Sequence, residues 1–170
     1  IKPGNIFLCE RGGMPDTVKV LDFGLVKRVD RVEDTIPIDR NFEANLVGTP
    51  LYMAPETIRN PNQADHRSDI YAVGAVGYCV LTGKNVFERD TVSALCESHL
   101  AEAPIPPSRR CSNPISPELE ALILRCLEKS PDKRPQAVGE LHTALLGCPH
   151  AADWTLEKRA AWWASHANLP

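Results

Sequence analysis

Two short runs of strand-forming residues, Ile6-Phe7-Leu8-Cys9 and Val18-Lys19-Val20-Leu21, flank a segment that holds Gly12-Gly13 and Pro15. Apolar runs on either side of turn residues predict a β-hairpin. Residues 27–47 follow with no sustained hydrophobic period, mixed charges and Pro37, which predicts a long surface loop. Loops of this length inside compact domains usually carry function.

From Pro55 onward the pattern is helical. Residues 66–81 are almost wholly apolar after a polar start, the signature of a helix buried in the middle of a core, and Thr82-Gly83 predicts its left-handed cap. A shorter helix is predicted over 91–101. Residues 103–117 hold five prolines and predict an extended connector. Ser116-Pro117-Glu118 then opens a helix: Ser caps, Pro takes the first turn and Glu suits the positive dipole end. Leu119, Leu122, Ile123, Cys126 and Leu127 form its apolar stripe. Pro135 is expected to open the next helix, with Val138, Leu141 and Leu145 facing inward and Gly147 and Pro149 ending it. Residues 153–167 predict a last amphipathic helix. No internal repeat or low-complexity tract interrupts this order.

Composition narrows the class. At 170 residues, 43% of them apolar and 24% charged, the chain is long enough for one soluble domain with its own core. A net charge of −3 without a basic stripe excludes a nucleic-acid footprint. The longest apolar run, residues 70–81, is too short to span a membrane. Cys9, Cys79, Cys96, Cys111, Cys126 and Cys148 form no C-x-x-C pair, so they read as buried, reduced thiols of a cytoplasmic protein. His142 lies in a Leu-rich helical segment and reads as structural. The chain begins at Ile1, inside what reads as a motif, and is expected to be a piece of a larger protein.

Three segments carry chemistry. Lys2-Pro3-Gly4-Asn5 precedes the first strand, Asp22-Phe23-Gly24 follows the second, and Gly48-Thr49-Pro50-Leu51-Tyr52-Met53-Ala54-Pro55-Glu56 comes after the long loop. Asn5 offers a neutral carbonyl oxygen and Asp22 a carboxylate. Such hard oxygen ligands suit Mg²⁺, which takes few protein ligands and binds phosphates as well. Both stand at the ends of adjacent hairpin strands and can face one site; the bland reading is a turn Asn and a strand-end Asp. Lys2 brings a positive charge that can stabilise a phosphoryl group in transfer.

In these residues the chain resembles the eukaryotic-type protein kinase family, from the catalytic loop to the end of the large lobe, over about 145 residues. Asp22-Phe23-Gly24 matches the metal-binding D-F-G and Ala54-Pro55-Glu56 the A-P-E that closes the activation segment. Ser68-Asp69-Ile70-Tyr71-Ala72-Val73-Gly74 resembles the start of the central buried helix. The resemblance implies that Arg134 pairs with Glu56 and that the Asp69 carboxylate holds the catalytic-loop backbone. It also implies the α+β kinase fold, of which this part is mainly α-helical with a short β-hairpin near its start. Residues 1–148 are expected to belong to the kinase large lobe and 149–170 to a helical extension.

The implied activity is ATP-dependent phosphorylation of Ser and Thr hydroxyls on protein substrates, with ATP and Mg²⁺ as cofactors. Lys2 and Thr49 follow the Ser/Thr-kinase pattern, and the phrasing of residues 68–83 resembles bacterial members. By resemblance Asn5 and Asp22 hold the metal, Phe23 and Gly24 complete the cofactor-binding motif, Lys2 steadies the γ-phosphate, and Thr49 shapes the acceptor site. The catalytic base is expected one position before Ile1, so residues 1–170 alone are expected to be inactive. A pseudokinase scaffold and a small-molecule phosphotransferase are the alternatives; the intact A-P-E and Gly48-Thr49 segments argue against the second. Thr35 is the candidate phosphosite of the long loop, beside a favoured reading in which Asp39 or Glu43 makes phosphate unnecessary. Trp154, Trp162 and Trp163 read as packing onto the lobe, with a partner surface as the alternative.

Overall fold

The computed structural model describes residues 1–21 and 50–166. Asp22, Phe23, Gly24, Thr35 and Thr49 lie outside the described residues, as does the loop expected over residues 27–47. Strands β1 (Ile6–Arg11) and β2 (Met14–Val20) form a two-stranded antiparallel sheet, in register from Ile6↔Val20 to Cys9↔Thr17. Gly12 and Gly13 make the turn at φ +59° and +79°, the left-handed pair that a two-residue hairpin requires and that glycine adopts without strain. Strand β2 begins four residues earlier than the apolar run suggests, because Pro15 is accommodated at an irregularity in the register: only Glu10 separates Cys9 from Arg11, whereas Pro15 and Asp16 separate Thr17 from Met14.

Helices α1 (Pro55–Arg59), α2 (His66–Thr82), α3 (Val92–Ala101), α4 (Pro117–Cys126), α5 (Val138–Leu146) and α6 (Leu156–His166) follow. A short 3-10 turn starting on Pro50 leads into α1, and others starting on Pro61, Pro107 and Pro131 lie between successive helices. Proline suits that first position because its φ is preset and its missing N–H has no partner to lose.

Helix α2 is the axis of the core. The Asp65 carboxylate caps its start by accepting the Arg67 N–H at 2.7 Å. Gly83 ends it at φ +67° with its N–H on Cys79 O at 2.8 Å. On one side of α2, Tyr71, Ala75 and Tyr78 pack with Val86, Phe87, Leu95, Ile123 and Leu127; on another, Ile70 meets Leu122, Cys126 and Leu141. Gly74 permits the close crossing with α4, since a Cβ there would stand 2.6 Å from Cys126 Cβ. Ser116 caps α4, accepting the Leu119 N–H at 3.2 Å.

Several expectations need correction. Helix α5 starts at Val138 rather than Pro135, because Arg134 to Ala137 are held extended or bent around the buried arginine, and Val138 is 71% exposed. Helix α2 is not buried all round: Val80 is 78% exposed near its end, where the core has tapered off. The last helix begins at Leu156, three residues late, after a turn at His150 to Asp153. All six cysteines are free, but only Cys126 is fully buried and the others are half-buried. His142 is exposed on α5.

Candidate functional site

The open end of the hairpin carries the first group of candidate residues. Pro3–Asn5 forms a 3-10 turn whose closing bond runs from Asn5 N–H to Lys2 O at 3.0 Å. The Leu21 N–H then donates to Asn5 O at 2.8 Å, so the ladder extends one step past Ile6↔Val20. Asn5 is therefore fixed by its backbone on both sides, opposite the residue that immediately precedes Asp22 in the chain. Lys2 and Asn5 are half-buried, and Asn5 leaves its side-chain carbonyl oxygen available among the described residues. That oxygen is a hard donor of the kind that suits Mg²⁺; Asp22, the second expected ligand, lies outside the described residues.

The second group is buried. Arg134, fully enclosed, reaches Glu56 through two parallel bonds, NH1 to Oε1 at 2.8 Å and NH2 to Oε2 at 2.7 Å. Its Nε donates to Glu128 O at 2.8 Å, NH1 also to Arg67 O at 2.9 Å, and NH2 to Lys129 O at 3.2 Å. A guanidinium has five N–H donors, and all five are used. The Ser68 hydroxyl adds a bond to Glu56 Oε1 at 2.6 Å, and the Tyr71 ring lies under the guanidinium at 4.9 Å. Burial pushes the Glu56 carboxyl up, but the bonds from Arg134 and Ser68 outweigh it and hold the group below its ordinary value of 4.5. Glu56 sits in the first turn of α1, whose Pro55 start follows from the Ala-Pro-Glu sequence. The pair thus ties the segment leading out of the long loop to the bend before α5. Asp69, by contrast, is exposed on α2 and makes no side-chain hydrogen bond among the described residues.

Sequence reasoning did not foresee the group beneath this pair. The Tyr71 hydroxyl and His99 Nδ1 share a bond of 2.8 Å in the core, while His99 Nε2 is buried without a partner. Burial, with the nearby Lys129 ammonium, pushes His99 down to about 4. Lys129 lies over the Phe87 ring at 4.7 Å, donates to Ser98 O at 3.2 Å, and is itself pushed down to about 8, chiefly by burial. The only sequence signal was a histidine at an apolar helical position.

The tryptophans of the last segment divide. The indoles of Trp154 and Trp163 both donate to Asp16, to Oδ2 at 2.7 Å and Oδ1 at 2.6 Å, whereas Trp162 stacks on His166 at 4.2 Å. Those two indole bonds, that of Trp163 first, hold the Asp16 carboxyl below its ordinary value. The segment therefore packs on the hairpin.

A shallow cleft between the α2–α3 connection and the proline-rich connector is lined by Phe87, Arg89, Glu102, Ile105 and Arg110. Its charges are already paired, Arg89 with Glu102 and Arg110 with Glu88. No helix among the described residues is long and apolar enough to cross a membrane.

The sequence profile of the Protein kinase domain family matches residues 1–146. The chain is 46% identical over 136 residues to the serine/threonine-protein kinase pkn3 of Myxococcus xanthus, which covers 79% of this chain and 24% of that protein. It is 36% identical over 146 residues to the serine/threonine-protein kinase PknB of Mycolicibacterium smegmatis, covering 86% of this chain and 22% of that protein. With Pkn1 of Myxococcus xanthus the identity is 38% over 145 residues, 85% of this chain and 20% of that protein. The chain thus spans about a quarter or less of the length of these relatives.

Proposed function

The chain belongs to the protein kinase domain family, and from that premise we propose that it is the large-lobe part of an enzyme that phosphorylates Ser and Thr hydroxyls of protein substrates. The observation that carries this reading is the bond from Leu21 N–H to Asn5 O, which sets Asn5 across the hairpin from the point where the chain turns into Asp22-Phe23-Gly24. Asn5 and Asp22 would hold Mg²⁺, and Phe23 and Gly24 would complete the nucleotide-binding motif. When bound with ATP, the metal would neutralise charge on the phosphates. Lys2 would present its ammonium to the γ-phosphate of bound ATP, where a positive charge would favour the charge that develops in transfer. Thr49 lies in the segment that meets the acceptor residue. Glu56 and Arg134 fix the end of that segment to the helical core.

Residues 1–148 form the lobe and 149–170 an extension of it. Free cysteines support a cytoplasmic setting for this part. Asp39 and Glu43 supply negative charge to the long loop, and Thr35 is not required to carry phosphate.

The test is phosphoryl transfer from ATP to a Ser/Thr peptide array by the full-length protein, with Asn5→Ala and Asp22→Asn beside it. Transfer that needs Mg²⁺ and falls by at least about a hundredfold in both variants is expected. A wild-type protein that binds partners but transfers nothing would turn the reading to a scaffold. Stoichiometric phosphate on Thr35, seen by mass spectrometry of active protein, would overturn the loop assignment.

A further inference from the structure

Asp16 stands where the hairpin departs from its register. One extra residue on β2, at Pro15-Asp16, faces the single Glu10 of β1, and Asp16 takes φ +60°. Such a bulge turns a side chain away from the direction the strand would give it, and Asp is among the few residues that tolerate left-handed backbone. Here the re-aimed carboxylate meets a segment 138 to 147 residues further along: Trp154 Nε1 reaches Oδ2 at 2.7 Å and Trp163 Nε1 reaches Oδ1 at 2.6 Å. Arg159 Nε approaches Oδ2 at 4.0 Å and is oriented by its own bond to Trp154 O at 3.1 Å. Each carboxylate oxygen thus has its own indole donor, one from just before α6 and one from within it. Both tryptophans lie beyond residue 146, where the family match ends.

We propose that α6 is a brace on the hairpin and that Asp16 is a positioning residue, which through the β1–β2 ladder sets the orientation of Asn5 at the hairpin's other end. The two-stranded sheet has no third strand among the described residues to fix its tilt, so a grip at the turn end constrains the open end. The positioning role rests on Asn5 being a metal ligand; the brace itself does not.

The experiment uses the full-length protein with two variants. Asp16→Gly removes both acceptors and adopts φ +60° freely; Trp154→Phe with Trp163→Phe removes both donors and keeps aromatic bulk. Amide hydrogen exchange reads the brace, and the Mg²⁺ concentration for half-maximal phosphoryl transfer reads the positioning. Both variants are expected to speed exchange about tenfold in residues 156–166 and in 6–20, and to raise the Mg²⁺ requirement at least about threefold. Unchanged exchange in residues 156–166 overturns the brace. Faster exchange in α6 with an unaltered hairpin and an unaltered Mg²⁺ requirement overturns the positioning role. A wild-type protein without transfer activity counts against the kinase reading instead, and exchange still decides the brace.

Discussion

The guanidinium of Arg134 and the carboxylate of Glu56, 78 residues apart in the chain, meet face to face through two bonds of 2.8 and 2.7 Å. The arginine is fully enclosed and the glutamate side chain is 10% exposed, and each has further partners: three backbone carbonyls for the arginine, the Ser68 hydroxyl for the glutamate. A buried pair adds little over a well-packed apolar pair, yet removing one member strands the other charge.

Arg134→Ala is therefore expected to destabilise the fold by about 3–5 kcal/mol. Arg134→Lys should recover only part of this, because an ammonium cannot reproduce the planar fork. Urea unfolding monitored by far-UV circular dichroism measures both, and an unmoved midpoint in Arg134→Ala would remove the anchor from the account.

Stability should fall on acidification in two overlapping steps. His99 is held neutral, down to about 4 from its ordinary 6.5, so the unfolded chain binds the extra proton first. The fold consequently loses stability as pH drops from 6.5 toward 4, by an amount on the order of 3 kcal/mol. The Glu56 carboxyl is depressed, so its contribution is present above 4.5 and disappears as pH falls through its lower folded value. Lys129, down to about 8, acts in the alkaline range, where stability should rise between pH 8 and 10.5. Melting temperatures across pH 4–7 should show the acid slope in the native protein, and His99→Gln should flatten its upper half.

Two glycines of α2 should differ in how they tolerate alanine. A Cβ on Gly74 would lie 2.6 Å from Cys126 Cβ and 3.4 Å from the Cys126 carbonyl carbon, so the helix crossing itself must open. On Gly77 the nearest atom, at 2.7 Å, is the Ile123 Cδ1 methyl, which a rotamer change can move. Gly74→Ala should cost about 1–3 kcal/mol. For Gly77→Ala the gain in helix propensity offsets much of the strain and brings the net close to zero. Equal midpoints for the two variants in denaturant titration would contradict the packing described for α2 and α4.

Ser116→Ala tests the start of α4. The hydroxyl accepts the Leu119 N–H at 3.2 Å, and its loss should cost about 1 kcal/mol. Ser116→Asp should retain the stability, an outcome that a purely packing role for the serine would not give.

Local signals made much of this fold legible in the chain. Gly83 as the end of α2, Ser116-Pro117 as the start of α4 and Gly12-Gly13 as the hairpin turn each work through one residue's own backbone or side chain, and each stands where its chemistry directs. The start of α5 is not legible, because Pro135 suits a first helical turn while the neighbouring Arg134 must stay extended to reach its carbonyls. The Tyr71–His99 contact and the grip on Asp16 depend on segments far apart in sequence, and no period or spacing encodes such meetings. The same holds for the candidate site: residue types near Asn5 suggested oxygen ligands, whereas its place opposite Leu21 is a matter of register.

The five acceptors of Arg134 come from α1, from α2 and from the stretch just after α4, so its guanidinium can be satisfied only once all three have come together. Contacts closing loops this long are slow to form and tend to be absent from the barrier crossing. The residue should therefore act as a bolt shot late in folding: in Arg134→Lys, stopped-flow kinetics should show faster unfolding with the refolding rate nearly unaltered, and a slowed refolding arm would place it in the nucleus instead.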